Sequence, residues 1–61
     1  MESDTVILAL RNMLALEATA KDPAGLAEAQ LATINLVRAH KISEFTVYRI
    51  RKLIFAKYRR V

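Results

Sequence analysis

Cysteine is absent from the chain, and among its 61 residues there is one glycine, Gly25, and one proline, Pro23. Without cysteine there is no disulfide framework, no thiolate metal site and no cysteine nucleophile. With so little Gly and Pro there are few places for sharp turns and no low-complexity linker, so the sequence predicts helix nearly throughout. Long apolar runs are missing too. The longest, Val6 to Leu10, falls far short of a membrane span, and the opening Met1-Glu2-Ser3-Asp4 lacks the basic start of a signal peptide. The expectation is a cytoplasmic protein with no membrane partner.

The residues of catalysis are also sparse. His40 is the single histidine, and Glu17 and Glu28 lie on different predicted helices with no carboxylate that the spacing sets beside them. Neither a metal site nor an acid–base pair follows from this, so the sequence predicts no enzyme, no cofactor and no small-molecule substrate. His40 reads instead as a residue favoured by the negative end of a helix.

Acids are scarce in one region in particular. From Arg38 to Val61 the chain holds eight basic residues (Arg38, Lys41, Arg49, Arg51, Lys52, Lys57, Arg59, Arg60) against Glu44 alone, a net +7. Residues 1–37 hold two basic residues against five acidic ones, a net −3. Clustered positive charge of this kind suits a polyanion or an acidic protein surface.

What the chain has in abundance is apolar side chains, 54% of its residues. A domain of this size hides only about 60% of its unfolded surface. Its core is therefore too small to enclose them all. Together with the lack of any covalent staple, this predicts a homodimer.

The elements follow from caps and periodicity. Ser3 or Asp4 starts a first helix at about 4–20, Asp22 and Pro23 a second at about 23–40, and Ser43 a third at about 44–59. The first is apolar on more than one side. Ile7, Leu10, Met13, Leu14 and Glu17 face the chain's own core, which leaves Val6, Leu8, Ala9 and Leu16 for a dimer contact. Bulk in the second half of helix 2 (Leu31, Ile34, Leu36, Val37) is expected to carry the core, and small residues in its first half allow close approach. Helix 3 sets Val47, Ile50 and Ile54 inward, with Leu53 and Tyr58 adjacent, and Arg49, Lys52, Arg59 and Arg60 outward. The predicted fold is a single all-α domain of three helices, 1–22 for dimerisation and core, 23–61 a helical hairpin ending in a basic helix.

Residues Thr33 to Lys52, TINLVRAHKISEFTVYRIRK, resemble the helix-turn-helix of bacterial and phage DNA-binding proteins. Within them Ile42-Ser43-Glu44-Phe45-Thr46-Val47-Tyr48-Arg49-Ile50 looks like the I-S-x-x-T-V-x-R-I run of resolvase-like and repressor-like members. The match covers about a third of the chain. Three positions differ from the family's preference: Val37 where a small residue is usual, Lys41 where Gly is usual, and His40 where the family is apolar.

The resemblance implies that Ile42 tucks between the two helices, that Val47 and Ile50 hold helix 3 on helix 2, and that Ser43 caps a recognition helix. Ser43, Glu44, Phe45, Tyr48, Arg49 and Lys52 then face a major groove, with Arg38, Lys41, Arg51 and Lys57 near phosphates and Arg59 and Arg60 extending the basic surface. The implied function is a small dimeric DNA-binding regulator of phage or plasmid type. A second expectation is a small phage-type binding module that inhibits or antagonises a host regulator or enzyme, with Phe45, Phe55 and Tyr58 beside Tyr48 as anchors on an acidic or helical protein surface. Structured RNA or a membrane surface ranks last.

Overall fold

The computed structural model describes residues 3–58. They form three helices, α1 (Asp4–Thr19), α2 (Pro23–His40) and α3 (Glu44–Tyr58), with no strand among them. The all-α, three-helix reading holds, with helix starts at the expected residues. Arg59, Arg60 and Val61 lie outside the described residues.

Each start has its cap. Ser3 Oγ accepts a hydrogen bond from the Val6 N–H at 3.2 Å, Asp22 Oδ1 from Gly25 at 2.6 Å, and Ser43 Oγ from Thr46 at 3.1 Å. Each satisfies one amide that the first turn leaves without a partner. Pro23 sits in the first turn of α2, where its missing N–H is no loss.

The end of α2 explains the turn that follows. Lys41 adopts the left-handed conformation, φ 51° and ψ 45°. Its N–H reaches the Arg38 carbonyl at 3.4 Å, and the Ile42 N–H reaches the Val37 carbonyl at 3.1 Å. This pair of bonds is a Schellman closure, which commonly uses glycine at the left-handed position. It throws Ile42 inward, and Ile42 is buried in the core.

The core is built around α1, which packs on both other helices. Leu10, Leu14 and Ala18 of α1 meet Ile42 and Ile54, while Val6, Ala15, Leu36, Val37, Val47, Ile50 and Phe55 close round them. Two expectations are corrected here. Leu31 and Ile34 of α2 are exposed, and that helix buries only Ala29 and Thr33, the small residues that let α1 come close. Val6, assigned by its helical position to a dimer face, instead packs on its own core.

Candidate binding surface

α3 is held from one side only. Val47, Ile50, Ile54 and Phe55 recur at helical spacing and rest on the cluster centred on α1. No Cα of α3 comes within 8 Å of a Cα of α2 among the described residues. Val47 and Ile50, expected to hold α3 on α2, pack round the α1-centred cluster together with Leu36 and Val37 of α2. A close crossing needs small residues at the point of contact, and the chain has the β-branched Val37 there.

The separation leaves a trough of about 340 Å³ between the two helices, lined by Thr33, Ile34, Val37 and Arg38 on one side and Glu44, Val47, Tyr48 and Arg51 on the other. Its walls are mainly apolar. Arg38 and Glu44 stand at the end nearer the turn, and Arg51 two helical turns away along α3.

Next to the trough, the outward side of α3 presents Phe45, Tyr48, Arg49, Lys52 and Leu53, all exposed, with Phe45 at 68%. The cations lie over rings one turn back: the Arg49 guanidinium is 5.6 Å from the centre of Phe45, and the Lys52 ammonium 6.0 Å from that of Tyr48. Lys57 stands 5.5 Å from the ring centre of the residue that follows it, Tyr58. Such stacking holds charge and aromatic surface side by side in a fixed pattern. The face carries positive charge and large apolar area together.

Against known proteins, the chain matches no family model, no curated protein and no solved structure.

The residues expected at a site fall in several places. Tyr48, Arg49, Lys52 and Phe45 do share the outward face of α3, and Arg38, Lys41 and Ser43 are exposed near the α2–α3 turn, with Arg38 lining the trough. Leu8 and Leu16 are exposed on α1, remote in sequence from that face, and Ala9 is half-buried beside them. Phe55 is corrected: it is half-buried against the chain's own core, with the Arg51 guanidinium 5.6 Å from its ring centre, and is not a free anchor. Leu53, expected beside the apolar stripe, is exposed to 70%. Arg59 and Arg60 lie outside the described residues.

Sequence reasoning missed the polar link behind this face. Glu17 is buried to 1% exposure, and its carboxylate accepts from Arg51 Nη1 at 2.6 Å and from Thr33 Oγ1 at 2.5 Å. Arg51, expected near phosphates, is committed to this bond. It forms the only ion pair among the described residues. The signal was present, since Glu17 falls on the same helical face as Leu10 and Leu14, where an acid needs a partner.

Proposed function

We propose that the protein is a small helical binding module that docks an acidic, partly apolar protein surface through the outward side of α3 and the trough beside it. The reading agrees with the expectation of a module that inhibits or antagonises a host regulator or enzyme. The observation that carries it is the trough. Its apolar floor of Ile34, Val37, Val47 and Tyr48 is filled better by an apolar side chain of a protein partner than by a phosphate backbone, which finds only Arg38 at the rim, beside the repelling Glu44. Exposed Phe45, Tyr48 and Leu53 add the kind of area that dominates protein interfaces, and Arg49 and Lys52 supply charge for an acidic rim.

A second reading, a dimeric DNA-binding regulator, draws on the turn. The left-handed Lys41, the inward Ile42 and the Ser43 cap are the features a helix-turn-helix uses between its two helices. Less favourable to it is that no Cα of α3 lies within 8 Å of one of α2 among the described residues, whereas a support helix normally braces the recognition helix closely.

Two variants separate the readings. Ile34→Glu fills the trough with charge and leaves Arg49 and Lys52 in place, while Arg49→Glu with Lys52→Glu reverses the outer charge. A protein docker retains one stoichiometric, nuclease-resistant partner that Ile34→Glu releases. Duplex retardation at low salt that survives Ile34→Glu and vanishes with the double reversal identifies the DNA reading and overturns the first.

A further inference from the structure

The core side of α1 is fully engaged, and its opposite side is largely exposed, with Ala15 at one edge touching the core and Leu16 and Thr19 bordering a hollow beside α2. Around Asn12, within about 60° at about 100° per residue, lie Thr5, Leu8, Leu16 and Thr19, exposed like Asn12 itself, with half-buried Ala9 and Ala15 as flanks. Leu10, Leu14, Glu17 and Ala18 occupy the opposite, buried side. In chain order this face reads Thr-Leu-Ala-Asn-Ala-Leu-Thr. It is the same in both directions.

That symmetry has a specific geometric meaning. In a two-fold contact between identical surfaces, whatever residue i touches must in turn touch i on the other copy. Two α1 helices laid antiparallel and centred on Asn12 bring residue i opposite residue 24 − i. Leu8 then meets Leu16, Ala9 meets Ala15, Thr5 meets Thr19, and Asn12 meets itself. We infer that this face joins two copies of the chain through an antiparallel α1–α1 pair with Asn12 on the two-fold axis.

The chemistry fits the pairing at every level. Ala9 and Ala15 are small enough for the helices to approach closely beside the leucines. Each Asn12 amide offers both donor and acceptor, so the pair bonds reciprocally, and a single polar residue within an apolar seam fixes register. At the ends Asp4 of one copy falls opposite Ala20 of the other, with the exposed Lys21 as the next residue in the chain. Asp22, next to Lys21, is already occupied as the cap of α2. Leu16 also borders a hollow between α1 and the first half of α2.

This contact is independent of the docking surface on α3, and each copy would carry one such surface outward, so a bivalent partner gains from linkage. Two-fold symmetry does not itself demand a palindrome; what the palindrome adds is that an antiparallel pair centred on Asn12 sets apolar against apolar and polar against polar at each level.

The absence of native cysteine makes the test clean, because an introduced thiol is the only one in the chain. Light scattering of the unaltered chain is expected to give twice its 6.9 kDa. Under mild oxidation Asn12→Cys is expected to form a covalent dimer by itself. Leu8→Cys alone is not, but a mixture of Leu8→Cys with Leu16→Cys is, since a disulfide needs the two Cα atoms within about 7 Å. Leu16→Glu is expected to raise the dimer dissociation constant by roughly a hundredfold, about tenfold for each copy's lost leucine contact. All these positions are exposed or at the face's edge, so unchanged helicity by circular dichroism guards against misfolding. A monomer at every concentration, or Leu8→Cys linking to itself while the mixture does not, overturns the inference. Neither outcome touches α3 or its partner, so the proposed function stands or falls separately.

Discussion

The buried Glu17 carboxylate and the Arg51 guanidinium, 34 residues apart in sequence, meet at 2.6 Å and join α1 to α3. Thr33 brings in α2, so one carboxylate ties together all three helices. The hydroxyl of Thr33 has one hydrogen and two acceptors in reach, Glu17 Oε2 at 2.5 Å and the Ala29 carbonyl at 3.0 Å. The charged, closer oxygen takes it. Because no Cα of α2 lies within 8 Å of one of α3 among the described residues, this link and the α1 core together set the width of the trough between them.

The two ends of the link differ in exposure, and this sets the direction of a mutational test. Arg51 keeps 40% of its side chain in solvent, while that of Glu17 keeps 1%. Arg51→Met strands a buried carboxylate and is expected to cost about 3 kcal/mol in urea denaturation. Replacing both, Glu17→Leu with Arg51→Met, removes the buried charge along with its partner. The double variant is expected to recover most of that loss, within about 1 kcal/mol of the original, since Thr33 can fall back on the Ala29 carbonyl. A double variant no more stable than Arg51→Met alone would show that the link does not act as a pair.

Lys41 carries the one positive φ among the described residues that are not glycine. A β-carbon in that conformation costs roughly 1–2 kcal/mol, which glycine does not incur. Lys41→Gly is therefore expected to stabilise the fold by about 0.5–1 kcal/mol, once glycine's greater freedom in the unfolded chain is set against it. Lys41→Val, with a branched β-carbon, should move the midpoint of thermal unfolding the other way. If Lys41→Gly lowers that midpoint, the Schellman closure is not the source of the turn's strain.

Much of the architecture is legible along the chain because its determinants are local. Ser3, Asp22 and Ser43 are caps whose partners lie three residues on, and Pro23 marks its own helix start, so helix positions follow from sequence alone. The outward set of α3 follows in the same way from helical spacing. What could not be read was which helix faces which. The bulk of Leu31 and Ile34 suggests a core on α2, yet Ala29 and Thr33 make that contact, because closeness to α1 rewards small side chains more than large ones. Phe55 falls near the basic side of its wheel, and only the position of α1 draws it inward. The partner of Glu17 lies 34 residues away, and no local pattern announces it.

Leu53 and Ile54 are neighbours with opposite environments, 70% and 5% exposed. Ile54→Ala opens a cavity against Leu10 and Leu14 and is expected to cost about 2–4 kcal/mol, a large share of the stability of so small a domain. Leu53→Ala removes surface that the fold does not use and should change stability by less than about 0.5 kcal/mol. Its effect belongs to binding. On a docking face shared with Tyr48 and Arg49, loss of Leu53 is expected to weaken partner affinity by about tenfold, the worth of one well-buried interface side chain. Thermal melts and a titration against the captured partner, run on both variants, check the split. A Leu53→Ala protein that melts early but binds normally would mean that α3 turns this side chain toward the core, and that the docking surface lies elsewhere.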